Sequence, residues 1–221
     1  MTTFYEEKVQ CAICGTETEF TGIRSTNAFG SPDLDTRPPE MQRSTIFAWV
    51  QRCAECGYCA SDISKATSQA ALLVRSPEYT RQLADSTFPK LANSFLCEAL
   101  INEGSEDYPS AAWSLIQAAW ACDDAEMASP AKICRSKAAG MIDRAIESGQ
   151  QVSEQGGAEI AIQVDLLRRA GRLNDARQLV ETQQHAITED IILKILTFQK
   201  ALIEGGDEAP HTISEALGQN E

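Results

Sequence analysis

Two copies of one short device, Cys11-Ala-Ile-Cys14-Gly15 and Cys53-Ala-Glu-Cys56-Gly57, stand 38 residues apart near the start of the chain. They restrict the fold more than any other feature of the sequence. A C-x2-C turn places two thiolates along one edge of a tetrahedron, and the glycine that follows lets the backbone turn beneath a metal with N–H groups aimed at sulfur. Two such knuckles fill a four-thiolate shell, so the intervening residues must return the chain to its starting point. Zn²⁺ suits this shell: it tolerates four thiolates, has no redox chemistry and keeps no open position once all four are bound. Cys11, Cys14, Cys53 and Cys56 are therefore the expected ligands of one structural Zn²⁺ per chain. Iron held by the same four sulfurs, as in rubredoxin, is the main rival, and four unrelated reduced thiols are the bland alternative.

The residues beside the knuckles read as strands. Thr16–Ile23 and Thr45–Gln51 are rich in β-branched and aromatic side chains, as a zinc ribbon requires. Sixty residues with few large apolar groups have little core of their own, so metal binding there should also supply folding energy. The expected organisation is α+β, with a small β zinc ribbon over 1–60 carrying an inserted loop at 25–43. An all-α, repeat-like array follows over 61–221. Within the loop, Phe29–Pro39 is rich in Gly, Ser and Pro. Its Asp33 and Asp35 could hold a hard cation and its Arg37 an anion, but without further ligands a turn-stabilising role weighs heaviest. Partner recognition by the loop stands between these.

Beyond residue 60 the periodicity becomes helical. Ser76-Pro77 and Ser129-Pro130 read as N-cap and first-turn pairs. Leu91, Phe95 and Ala99, then Ile191, Ile195, Phe198 and Leu202, form apolar stripes. A helix from about Pro109 to Asp123 is apolar on two faces, as expected of one packed between neighbours; Trp113 and Trp120 on it read as core. Breaks at Gly104, Gly149–Gly157, Gly171 and Gly205-Gly206 divide the segment into seven to nine helices. Gly171 and Ala176 sit where a tetratricopeptide helix hairpin places a Gly and a small residue at the crossing, whereas Val164, Gln183 and Thr188 depart from that pattern.

Charge bears on partners. Nineteen basic against 32 acidic residues leave −13, which repels a phosphate backbone. Residues 1–60 are themselves acidic, with Lys8, Arg24, Arg37, Arg43 and Arg52 against eight acids. Nucleic-acid binding would need a basic face built from those arginines in three dimensions, and is disfavoured. No basic, apolar leader precedes the first knuckle and no long apolar run occurs, so a cytoplasmic protein without a membrane partner is expected. Cys59, three residues beyond Cys56, reads first as a small buried residue and second as a metal-poised thiol. Cys97, Cys122 and Cys134 read as buried thiols without ligand spacing. His185 and His211 have no catalytic setting, and no Walker loop, nucleophile elbow, H-E-x-x-H or dinucleotide fingerprint occurs.

The segments Glu6–Cys11-x-x-Cys14-Gly15 and Trp49–Cys53-x-x-Cys56-Gly57-Tyr58, followed by Ala-rich helices, resemble a bacterial family of uncharacterised proteins. Its members couple an N-terminal CxxC/CxxC zinc ribbon to tetratricopeptide-like helices. Cys59 departs from the small apolar residue usual there. The resemblance implies a fold and no established activity. The expectation is a non-enzymatic adaptor or scaffold that binds a protein or peptide partner through its helices. A thiol- or metal-responsive regulator using Cys59 is the alternative, with a nucleic-acid-binding ribbon behind it.

Overall fold

The knuckles define the first elements. β1 (Thr3–Gln10) and β2 (Glu17–Ser25) pair antiparallel, with Gln10 opposite Glu17, so the first knuckle is the turn of a hairpin. β3 (Gln51–Arg52) and β4 (Cys59–Ala60) repeat the arrangement around the second knuckle, with Arg52 opposite Cys59. The computed structural model describes residues 1–219, so the last two residues of the segment 61–221 lie outside it. The chain is mixed, about 53% helical, with a small sheet at the N-terminus and ten helices among the described residues.

A single turn, α1 (Glu40–Arg43), lies between the hairpins. After them come α2 (Ser68–Leu73), α3 (Pro77–Leu83), α4 (Lys90–Gly104), α5 (Tyr108–Asp124), α6 (Ala128–Glu147), α7 (Ala158–Arg169), α8 (Leu173–Gln183), α9 (Asp190–Glu204) and α10 (Ile213–Ala216). From α4 onward each helix packs on the next, and α9 also returns onto α7. Buried alanines at 111, 112, 118, 119 and 121 leave α5 thin enough to lie between α4 and α6. One contiguous core runs from Cys11 and Cys53 through Ile63, Tyr79 and Phe95 to Ile142, Leu166 and Leu196.

Several local expectations need correction. Thr45–Gln51 is a 3₁₀ turn at Ile46–Ala48 followed by the short β3, not one strand. Thr45 Oγ1 donates to the Gln42 carbonyl and accepts from Trp49 Nε1, which coils the segment. Ile46 and Val50 are the buried apolar residues, whereas Phe47 is 44% exposed and lies against Phe4. The Ser76 cap is present, its Oγ accepting from Tyr79 N at 3.1 Å. Ser129, however, lies inside α6, whose N-cap is Met127; a proline in the first turn does not fix the helix start to one residue. On α9 the core stripe is Ile192, Ile195, Leu196, Gln199 and Ile203, with Ile191 40% exposed. Gln199 was hidden from an apolar search, although it is fully buried and donates to the Ala161 carbonyl at 2.9 Å.

The helix boundaries share one device. Asp107, Met127, Gln150, Arg172 and Asp207 each donate an N–H to a carbonyl five residues back, at 2.8–2.9 Å. The preceding residue has positive φ in every case: Glu106, Glu126, Gly149, Gly171 and Gly206. These are Schellman caps. Three use the glycine that the sequence displays and two use glutamate, so the break after α5 carries no glycine, and Gly104, read as the break after α4, is the last residue of that helix. A side chain in this left-handed region is strained by about 1–2 kcal/mol, partly offset in a glycine by greater unfolded-state entropy. Glu126 is exposed, so Glu126→Gly is expected to raise stability by about 0.5–1 kcal/mol in urea unfolding. A loss of stability would contradict the cap assignment.

Candidate metal centre

The two knuckles are superimposable in their hydrogen bonding. Cys11 N donates to the Thr16 carbonyl at 2.9 Å and Gly15 N to the Cys11 carbonyl at 2.8 Å. Cys53 N donates to the Tyr58 carbonyl at 2.8 Å and Gly57 N to the Cys53 carbonyl at 3.1 Å. Gly15 and Gly57 have φ of 76° and 72°, a conformation that glycine adopts without strain. A Cβ at Gly57 would also collide with Leu83 of α3.

This geometry brings the four predicted ligands together. The Sγ atoms of Cys11, Cys14, Cys53 and Cys56 lie within 4.8 Å of one another. Cys11–Cys56 is 3.7 Å and Cys14–Cys53 is 3.5 Å. Four sulfurs about 2.3 Å from a zinc would be about 3.8 Å apart along each tetrahedral edge, so the donor set and its size fit a thiolate-bound metal ion. In the free thiols, burial raises the pKa of Cys11 and of Cys56, whereas hydrogen bonding to Thr16 lowers that of exposed Cys14 to about 6. A bound metal would hold all four as thiolates. The hairpins are further tied by Ala12 N to the Ile63 carbonyl at 2.9 Å and Ile63 N to Gln51 Oε1 at 3.0 Å.

The inserted loop meets the helices instead of a ligand. Thr36 N donates to the Asp33 carbonyl and Arg37 N to Asp35 Oδ1, so the acids do shape a turn, with Thr36 at φ 65°. Their carboxylates do more than that. Asp35 is fully buried, and its Oδ2 accepts from Trp120 Nε1 of α5 and from Arg169 Nη1 of α7, both at 2.9 Å. Arg37 pairs with Asp124, and Arg43 with Asp33 at 2.9 Å. Asp123 collects Arg135 and, at 2.9 Å, Arg169; burial opposes its charge, but Arg135, Arg169 and Arg37 hold its pKa below the ordinary value. Burial and the neighbouring Asp35 raise the pKa of Asp33. Leu34 N to the His211 carbonyl and Ile213 N to the Pro32 carbonyl fasten the same loop to the C-terminal end.

Asp123, Arg135 and Arg169 were not singled out in the sequence. One signal was available: Ile160, Val164 and Arg168 share a helical stripe, so charge at Arg168-Arg169 falls on or beside the core face. Arg168 is indeed fully buried and pairs with Asp165 at 2.6 Å. Of the arginines considered for a basic face, Arg37 and Arg43 are spent in these pairs. Trp120 is core; Trp113 is half-buried and donates to the Val152 carbonyl at 3.2 Å. His185 is exposed after α8, and His211 lies edge-on to Phe198 between Asp207 and Glu215. Among the described residues, no helix is long and apolar enough to cross a membrane.

No family model, curated protein or solved structure matches the chain. Asp35→Ala separates an anchoring role for the loop from a catalytic one. It strands Arg169 and the Trp120 indole, and is expected to lower stability by about 3 kcal/mol in denaturant unfolding with metal content unchanged. Unaltered stability would contradict the anchoring role.

Proposed function

We propose that the chain is a non-enzymatic adaptor in which Cys11, Cys14, Cys53 and Cys56 hold one structural Zn²⁺ and the helical array presents a binding surface to a protein partner. The observation that carries this reading is the closed thiolate set. Four sulfurs leave a tetrahedral ion no position for water or substrate, so the metal acts on folding and the surfaces around it act on partners. Membership of the family that joins a zinc ribbon to tetratricopeptide-like helices belongs to the same proposal. The packing of each helix from α4 onto the next supports it, as do the contacts of α7 with α8, Gly171 at positive φ between them and Ala176 fully buried on α8.

The surface best suited to a partner is a groove of about 520 Å³ between the inserted loop and α5. Pro38, Pro39, Trp49, Trp113, Gln117 and Trp120 line it, and no charged side chain does. Trp49 and Trp120 meet edge to face, 6.4 Å between ring centroids. All three indole N–H groups are spent internally, on Thr45, Val152 and Asp35, and the half-buried rings of Trp49 and Trp113, backed by buried Trp120, turn apolar surface to the groove. Aromatic anchors of this kind dominate protein interfaces.

Affinity purification of the tagged chain from its native host tests the proposal. A stoichiometric partner is expected to be retained by the wild type and by Cys59→Ser, and lost with Gln117→Lys, which puts a charge in the groove. No partner, or one indifferent to Gln117→Lys, would contradict it. A partner lost with Cys59→Ser, together with loss of an oxidant response, would favour the thiol-responsive regulator. That second reading is supported by the tie of Cys59 to the second knuckle, its Sγ reaching the Gly57 carbonyl at 3.3 Å.

A further inference from the structure

Among the described residues, four carboxyl groups are buried: those of Asp33, Asp35, Glu98 and Asp165. Three have a cation. Arg43 pairs with Asp33, Arg169 with Asp35 and Arg168 with Asp165. Glu98, in the middle of α4, pairs with no lysine, arginine or histidine among the described residues. A buried charge without a partner is too costly to keep, and such a group holds its proton instead. The contacts of Glu98 point the same way. Its Oε2 lies 3.2 Å from Ser114 Oγ of α5. That hydroxyl also lies 3.0 Å from the Ser110 carbonyl and accepts from Asn102 Nδ2 of α4 at 3.3 Å. A serine hydroxyl has one hydrogen, divided here between two acceptors, so an ionised Glu98 receives only a share of one bond. With the proton on Glu98 the cluster closes: Glu98 donates to Ser114 Oγ, and Ser114 donates to the Ser110 carbonyl.

The elements around α4 supply no counter-charge. α4 packs against α2, α3, α5 and β4. α2 carries no titratable side chain. On α3, Glu78 and Arg81 are exposed, and Tyr79 Oη is held between the Cys59 N–H and the Gly57 carbonyl. On α5, Tyr108, Cys122, Asp123 and Asp124 all lie more than one turn from Ser114. β4 offers the Cys59 thiol and the second knuckle the Tyr58 phenol, neither of them a cation. On α4 itself Lys90 is exposed two turns away, Cys97 is buried, and Glu103 is taken by Arg144. Burial accordingly raises the pKa of Glu98 to about 7, ahead of the opposing pull of Ser114 and the Ser61 backbone.

We propose that Glu98 is a proton-operated switch in the α4–α5 interface, closed while the carboxyl carries its proton and loosened when it ionises. Its place gives the switch leverage, because α4 packs on β4 as well as on α5 and so joins the hairpins to the helical array. The direction follows from the two states of the chain. Unfolded, Glu98 ionises as pH rises past the ordinary 4.5; folded, it keeps its proton up to about 7. Its stabilising effect is complete below the first value, is lost progressively as pH rises between the two, and is gone above the second. The interface therefore tightens on mild acidification and loosens above neutrality.

The test uses the full, metal-loaded chain. The carboxyl carbon of Glu98, assigned through its own backbone, is followed by NMR as pH is raised. A midpoint near 7 is expected, and one in the ordinary carboxylate range overturns the proposal; this reading requires no variant to fold. Urea unfolding of the wild type and of Glu98→Gln, which keeps the shape of the neutral acid, gives the second reading. Titration of the metal thiolates acts on both chains alike and cancels in the ratio of their folding constants. Between about pH 5.5 and about pH 8 the ratio of wild type to Glu98→Gln is expected to fall about 30-fold. A ratio that does not change with pH overturns the proposal.

Discussion

The convergence of four sulfurs from two hairpin turns is the constraint on which the N-terminal third of the molecule depends. Each hairpin alone is too small to be stable: β3 and β4 contribute two residues each, and a two-stranded ribbon is marginal in water. What brings them together is a shared cluster of four sulfurs that could hold a metal ion, reached because each knuckle turns through a left-handed glycine. Deprotonating four thiols and binding a divalent ion there would change the local charge from that of a neutral cluster to a net −2 and deepen the acidity of the chain. Hydrophobic contact then carries the order outward. Cys11 and Cys53 are themselves part of the core that continues through Ile63 and Tyr79 into the helices.

A second set of interactions ties the inserted loop to helices far away in sequence. Asp35, Arg37, Asp123, Arg135 and Arg169 form a partly buried ionic web in which each charge has at least one opposite partner. Burying such a web costs desolvation that its attractions roughly offset, so its main effect is specificity of position: removing one member leaves a charge stranded. It fixes Pro38 and Pro39 opposite Trp113 and Trp120, and so shapes the groove between loop and α5. The metal cysteines thus lie toward the two ends of the same 60 residues, and the web takes hold of their middle.

Legibility in the sequence followed the range of the physics. The metal ligands were readable because a C-x2-C-G turn is a local device, written within five residues, and its duplication states the long-range contact outright. Helix caps such as Ser76-Pro77, and the break at Gly171, were readable for the same reason. The caps at Glu106 and Glu126 were not, since their hydrogen bonds override the preference for glycine. Thr45–Gln51 has the composition of a strand, and only the Thr45–Trp49 side-chain bond and the burial of Ile46 and Val50 make it coil. The ionic web depends on which helix faces lie against which loop, and one-dimensional spacing does not carry that information. Asp33 and Asp35, expected mainly to stabilise a turn, do so while also serving as anchors to the helical array.

Folding of the hairpins by a bound metal is the central claim, and metal analysis of freshly purified, reduced chain combined with amide hydrogen exchange tests it most directly. It predicts one zinc per chain, and on chelation a collapse of exchange protection across residues 3–60 while the helices from α5 onward keep theirs. Metal content far below one per chain, or unchanged protection of the hairpins after the metal is removed, would contradict it.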